Sequence, residues 1–223
     1  MFTFSGLIFL IDTLVWTAFV IKCFQILKDE PYNSTTKHFL ITFLILDVAY
    51  FIFFLSIFSA SSNLPGVATL KIIGDFILYL SFSYGTKIPV TIRYPKFNAN
   101  ILVASFVAVS IITTVFNCYY PPHPTFGNLG IMHWNLNNIT AWGLYPVSLG
   151  MWFPMAYIFY KKGLEDLSEQ ARYWILATGF VITSFFGPLT VVVKTDFWTA
   201  FAQVMMSIGH TILLIGLVYK KKT

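Results

Sequence analysis

The chain contains seven apolar stretches that are each long enough to cross a lipid bilayer, and this feature limits its fold more than any other. A stretch of about 18 or more apolar residues is typical of a membrane-spanning helix. The predicted spans cover residues 5–27, 38–60, 67–89, 99–119, 139–160, 171–193 and 198–219. Because these stretches lack the alternating polar residues of a barrel strand, we expect an all-α bundle that forms one membrane domain over residues 1–223.

The distribution of charge predicts how this bundle lies in the membrane. Only 10% of the 223 residues are charged, against about 25% in soluble domains. One set of alternate loops and the C-terminus hold Lys28, Lys37, Lys87, Arg93, Lys96, Lys161, Lys162, Arg172, Lys220, Lys221 and Lys222, and the opposite set holds Lys194. Because cytoplasmic loops are enriched in Lys and Arg, we expect an outside N-terminus, a cytoplasmic C-terminus and the plasma membrane of a prokaryote. This pattern explains the net charge of +5 without a nucleic-acid partner.

The third predicted span carries polar residues at four-residue intervals. In KIIGDFILYLSFSYGTK these are Lys71, Asp75, Tyr79 and Ser83. Residues four apart are neighbours on a helix, so Lys71 and Asp75 are expected to form an ion pair. A charged group at the bilayer centre costs about 2.5–3.5 kcal/mol on insertion scales. The polar face is therefore predicted to point into the bundle.

Two further carboxylates lie within the first and second predicted spans. A rise of about 1.5 Å per residue puts Asp12 at the level of Lys71 and Asp75, so the three are expected to form a buried cluster. Asp47 lies nearer the midplane and is expected to meet a polar face of the last span. That face consists of Gln203, Ser207, His210 and Thr211. Hydrogen bonding between helices, with no further role, is the alternative for all of these groups.

The loop 120–138 is long, nearly uncharged and rich in Pro, Gly, Asn and aromatic residues. Long loops of this kind are often functional or mobile, which makes His123, His133 and Trp134 candidate ligand contacts. The alternative is a cover that lies on the membrane surface, with Trp134 anchored among the lipid headgroups.

Motifs for metal binding, nucleotide binding or hydrolysis are missing from the sequence, as is a lysine in the last span for a retinal linkage. Cys23 is predicted near the inner side of the membrane and Cys118 near the outer side, which excludes a disulfide between them. We therefore expect no metal, no cofactor, no catalytic residue and no enzymatic activity.

The spans, the outside N-terminus and the stretch KKGLEDLSEQARYWILATGFVITSFFG resemble the seven-helix sensor region found at the front of some bacterial histidine kinases. Those regions are normally followed by a signalling domain, whereas this sequence stops at KKKT. The resemblance therefore implies a sensor that passes its signal to a separate cytoplasmic or membrane partner.

Three functions fit these patterns. The first is a receptor-like membrane sensor, or an accessory membrane subunit, with a polar pocket between the first, third and seventh spans. The second is a small secondary transporter or proton-coupled carrier. Its coupling groups would be Asp12, Asp47, Lys71, Asp75 and His210. The third is a structural subunit of a larger membrane complex.

Overall fold

The apolar stretches form long helices in the computed structural model, which describes residues 3–59, 64–94 and 96–219. The helices are α1 Phe4–Asp29, α2 Ser34–Ser59, α3 Leu64–Gly85, α4 Lys87–Arg93, α5 Ala99–Tyr119, α6 Asn138–Glu165, α7 Gln170–Val192 and α8 Asp196–Val218. Residue 60, at the end of the second predicted span, and Lys220, Lys221 and Lys222 lie outside the described residues. The predicted all-α bundle is confirmed.

Local sequence sets several helix boundaries. Thr3, Asn98 and Asn137 each accept a hydrogen bond from a backbone amide in the first turn of α1, α5 and α6, as N-cap residues do. The third predicted span is divided between α3 and α4 at Thr86. Pro89 explains the division, because it has no amide hydrogen to donate to the carbonyl of Gly85, one turn earlier.

Six candidate membrane spans occur in the described part of the chain, where the sequence predicted seven. By length and composition they are α1, α2, Pro65–Arg93 (which joins α3 and α4), α5, α7 and α8. The remaining predicted span, 139–160, lies in α6, which has 28 residues but is not among the six. Its Trp, Tyr, Gly and Pro residues make it less apolar than the Leu- and Ile-rich helices.

The helices form a ring around an aromatic core. α1 lies between α2 and α8, and the ring continues from α2 through α3, α6 and α7 back to α8, while α5 lies outside against α3. In the core, the rings of Trp16 and Phe43 stack with centroids 4.9 Å apart, and Trp152 stacks on Phe180 at 5.4 Å. Helices surrounded by lipid associate mainly through such close packing and through hydrogen bonds.

The loop between α5 and α6 folds into a small hairpin at one end of the ring. Strands β1 Thr125–Phe126 and β2 Met132–His133 pair in antiparallel fashion, with the short 3₁₀ helix Asn128–Gly130 between them. We call residues 120–137 the hairpin loop and this end of the ring the loop end. The opposite end, which carries Lys28, Lys37, Arg93, Lys161, Lys162 and Arg172, is the basic end.

Candidate functional site

A small cavity lies inside the ring beneath the hairpin loop. Its volume is about 40 Å³, which is room for a few water molecules at about 10–15 Å³ each. The side chains that line it come from α1, α2, α3, α6, α7, α8 and the hairpin loop, and include Phe9, Tyr50, Phe53, Lys71, Asp75, Trp134, Ser148, Trp152, Thr183 and Met206. Every helix of the ring therefore contributes to one largely apolar site.

Among the described residues that line the cavity, Lys71 and Asp75 on α3 are the only cation and carboxylate, and they form an ion pair. The pair predicted from the four-residue spacing is thus confirmed. Lys71, Asp75, Tyr79 and Ser83 are all at most 5% exposed, so the polar face of α3 points into the bundle as predicted. Because both charges are taken out of water, each relies on the other for compensation.

Two aromatic rings enclose the ammonium group of Lys71. Its Nζ atom lies 4.8 Å from the centroid of Phe53 and 5.0 Å from that of Trp134, within range of cation–π attraction. Gly74 lets α3 approach Phe53, since a Cβ atom at this position would lie 2.5 Å from the ring. Lys71 therefore occupies an aromatic cage with the carboxylate of Asp75 at one side.

Trp134 lies inside the bundle, so the alternative in which this residue anchors the loop among lipid headgroups is wrong. Its side chain is 2% exposed and contacts the rings of Phe9 and Phe53 at centroid distances of 6.3 and 6.1 Å. The physical reason is that β2 leads the chain back into the ring, where the indole gains aromatic contacts and the ammonium of Lys71.

Asp196, the first residue of α8, holds the hairpin loop against the helices. Its Oδ1 lies 2.6 Å from Nε2 of His133, and its Oδ2 accepts a hydrogen bond of 2.9 Å from the amide of Asn128. Gly127 permits this approach, because a Cβ there would lie 1.8 Å from Oδ1 of Asp196. His133 is therefore engaged by the protein itself, whereas His123 is exposed.

Ser5 provides a second anchor for the hairpin loop. Its hydroxyl accepts a hydrogen bond of 2.8 Å from the amide of Met132 and donates one of 2.8 Å to Oε1 of Gln203. One buried hydroxyl thus connects α1, α8 and the strand that leads to Trp134.

Asp12 pairs with His210, so the prediction that it joins Lys71 and Asp75 is wrong. Oδ1 of Asp12 lies 2.9 Å from Nδ1 of His210, and both side chains are 0% exposed. Across the described residues, no ion pair joins Asp12 to Lys71. The reason is helix order, because α1 lies between α2 and α8 and not against α3.

The Asp12–His210 pair continues to the cavity wall. Nε2 of His210 lies 3.4 Å from the hydroxyl of Tyr50, and Tyr50 lines the cavity. Oδ2 of Asp12 has no hydrogen-bond partner within the described part of the chain. The three side chains form a row of protonatable groups from the α1–α8 contact to the cavity.

Asp47 is separate from both pairs. Its carboxylate accepts hydrogen bonds of 3.0 and 3.2 Å from the hydroxyl of Thr17 on α1, and the residue is half-buried. The predicted contact between Asp47 and the polar face of the last span is therefore wrong. On that face, Gln203, Ser207 and His210 are buried, and Gln203 and His210 bond to α1.

Several site residues had no signal in the sequence. Tyr50 and Phe53 lie in the aromatic run AYFIFFL, where nothing in the spacing distinguishes the cavity side from the lipid side. Ser5 and Asp196 are single polar residues at helix starts, a position that hydrogen bonding to the helix itself would explain. Their contacts depend on which helices become neighbours.

The described residues offer no group of three or more His, Cys, Asp or Glu side chains able to hold a metal ion. Cys23 is buried, Cys118 is exposed, and both are free. No family model matches the chain, and neither a curated protein nor a solved structure shows significant similarity to it. The cavity and its charged groups therefore carry the functional inference.

Proposed function

We propose that the protein is a receptor-like membrane sensor whose cavity at the loop end binds a small zwitterionic ligand. In this proposal α6 also crosses the membrane, which brings the number of spans to seven, the loop end faces outside and the basic end faces the cytoplasm of a prokaryote. The observation that supports it is the position of Trp134, a residue of the hairpin loop that lies on the ammonium of Lys71. An accessory membrane subunit with the same ligand is included in this class.

The zwitterionic ligand follows from the charges in the cavity wall. A ligand with one charge would pair with Lys71 or with Asp75 and leave the other buried without a counterion, which is strongly unfavourable. A ligand with an ammonium and a carboxylate compensates both. The aromatic rings around Lys71 also suit an organic ammonium group. A free amino acid is the simplest molecule with these properties.

Ligand binding in this cavity requires the hairpin loop to move. The volume of about 40 Å³ is far below the roughly 300–1,000 Å³ of typical ligand pockets. Trp134 must leave its position above Lys71 to make room. A ligand that binds only when Trp134 has moved away from Lys71 shifts the population towards that arrangement. The displaced hairpin loop then pulls on α1 and α8 through Ser5 and Asp196. A separate signalling partner would respond to this movement.

Thermal unfolding of the purified protein in detergent tests the proposal. Each of the common amino acids is added separately, and at least one should raise the melting temperature. The double variant Lys71→Met/Asp75→Leu should lose this shift, while Asp47→Asn, a charge outside the cavity, should keep it. Hydrogen exchange in residues 120–137 should become faster when the ligand is bound. The proposal is contradicted if none of the amino acids raises the melting temperature, or if the double variant retains the increase.

A proton-coupled carrier is the second candidate, and the row formed by Asp12, His210 and Tyr50 supports it. Groups of this kind in membrane spans often form proton relays. The carrier interpretation expects uptake of the stabilising amino acid into liposomes under a pH gradient, with loss of uptake in His210→Gln. A sensor binds the same amino acid and shows no uptake, so the two functions give opposite results.

A further inference from the structure

A lateral groove separates α5 from the rest of the bundle at the basic end. Only 11% of the most apolar window of α5 is buried inside the protein, against 44–50% for the other candidate spans. Because α5 lies mainly against α3, a gap of about 630 Å³ remains between α4, α5 and α6. The walls are largely apolar, with Val90 from α4, Leu102 and Phe106 from α5, and Phe153 from α6.

A basic pocket continues this groove towards the end of the bundle. The pocket has a volume of about 250 Å³ and contains Arg93, Lys161, Lys162 and Glu165. Three cations and one carboxylate leave two positive charges in excess. Arg93, together with Tyr157 and Ile158, lines both the groove and the pocket. The two spaces therefore adjoin at these three residues, with the groove apolar and the pocket positively charged.

We propose that the groove and the basic pocket form one binding site for an anionic phospholipid. The acyl chains lie in the groove, and the phosphate contacts Arg93, Lys161 and Lys162. Basic pockets between membrane helices bind anionic headgroups in this way, and an arginine guanidinium matches the geometry of a phosphate. Tyr94 and Tyr157, which also line the groove, suit the boundary between acyl chains and headgroups.

Charge favours a lipid over a second copy of the chain as the occupant. Two copies in one membrane share their orientation, so a second copy would bring its own basic end to the level of Arg93 and Lys161. Like charges at that level repel. An anionic headgroup instead compensates the excess positive charge, and its acyl chains fill an apolar space that faces the membrane. This site lies apart from the cavity and does not depend on its proposed ligand.

Native mass spectrometry of the detergent-purified protein tests the proposal. Phosphatidylglycerol and phosphatidylcholine with identical acyl chains are added in separate samples, so that only the headgroup differs. The unaltered protein should retain phosphatidylglycerol in preference to phosphatidylcholine. The triple variant Arg93→Gln/Lys161→Gln/Lys162→Gln should lose that preference and retain at least about tenfold less phosphatidylglycerol, since each basic residue near the headgroups contributes about fivefold.

The matched control removes three charges from the same end, away from the groove, in Lys22→Gln/Lys28→Gln/Lys37→Gln. It should retain phosphatidylglycerol as the unaltered protein does. A second pair of variants addresses the acyl chains. Leu102→Trp fills the groove and should reduce retention severalfold, while Ile101→Trp, the same kind of change on the lipid-facing side of α5, should not.

Circular dichroism and elution volume establish that each variant is folded. If the triple variant fails to fold, Arg93→Gln alone replaces it and should weaken retention of phosphatidylglycerol about fivefold. Equal retention of the two lipids by the unaltered protein, or equal retention of phosphatidylglycerol by the test and control variants, would overturn the proposal. So would a spectrum with dimers and no lipid adduct, which would identify the groove as a contact between copies.

Discussion

The described part of the bundle contains two buried acid–base pairs of different construction. Lys71 and Asp75 belong to one helix, line the cavity and lie among aromatic rings. Asp12 and His210 belong to α1 and α8 and are fully enclosed. Under the proposed function, the first pair exchanges partners with a ligand without separating any helices, whereas the second pair can open only if α1 and α8 move apart. The first pair is therefore suited to ligand binding, and the second pair is suited to holding α1 against α8.

The largest effect is expected when one member of the α3 pair is removed. Lys71→Met leaves the buried carboxylate of Asp75 without a counterion, and such changes cost about 3–5 kcal/mol in the free energy of unfolding. Lys71→Met/Asp75→Leu removes both charges and should cost less than either single change. Unfolding of the detergent-solubilised protein, followed by tryptophan fluorescence, measures the three variants. A double variant no more stable than the single variants would show that the charges do not compensate each other.

A smaller loss is expected from the pair between α1 and α8. Asp12→Leu leaves Nδ1 of His210 buried without a hydrogen-bond partner, and an unsatisfied buried polar group costs about 1–3 kcal/mol. The same unfolding measurement applies, with Leu14→Ala on the exposed side of α1 as the control. A loss as large as that of Lys71→Met would show that the two pairs contribute equally to stability, against the difference inferred here.

The third prediction concerns the contacts by which Asp196 holds the hairpin loop, and with it Trp134, in place. Asp196→Ala removes the contacts to His133 and to the amide of Asn128, and each hydrogen bond contributes about 0.5–1.5 kcal/mol. Hydrogen exchange in residues 120–137 should become faster, while that of α1 and α8 stays unchanged. Asp29→Ala, an exposed carboxylate at the other end of the ring, is the control. Unchanged exchange in the hairpin loop would show that Asp196 does not hold it.

Asp47 should show the smallest effect, because its carboxylate is half-buried and has a neutral hydroxyl as its partner. Asp47→Asn keeps an oxygen that accepts from Thr17, so the free energy of unfolding should change by no more than about 0.5 kcal/mol. Parallel unfolding of this variant and Asp12→Leu provides the comparison. A larger loss for Asp47→Asn would show that a third carboxylate, outside both pairs, stabilises the bundle through its charge.

The two pairs also differ in how far the sequence predicts them. Lys71 and Asp75 are neighbours through the helix itself, so a spacing of four residues is sufficient. For Asp12, the rise per residue predicts only depth, and it matches the depth of Lys71 and Asp75. The partner depends on helix order and on the rotation of α1, which turn Asp12 towards His210. Neither the helix order nor the rotation of α1 can be inferred from the sequence of a single span.

Trp134 illustrates the same limit for loops. The composition of the loop around Trp134 is compatible with a membrane surface or with a protein interior, since an indole suits both. The choice depends on the cavity and on the ammonium of Lys71, which come from distant parts of the chain. The helical class of the fold, by contrast, follows from the apolar stretches, because only helices satisfy the backbone in such segments.

The contacts between α1 and α8 have a consequence for biosynthesis. Ser5 with Gln203 and Asp12 with His210 each join residues 198 positions apart, a distance that a ribosome covers in about 10–40 s at about 5–20 residues per second. Throughout that interval the carboxylate of Asp12 is already made and His210 does not yet exist. An unpaired acid in the first helix therefore distinguishes every nascent copy from a finished one.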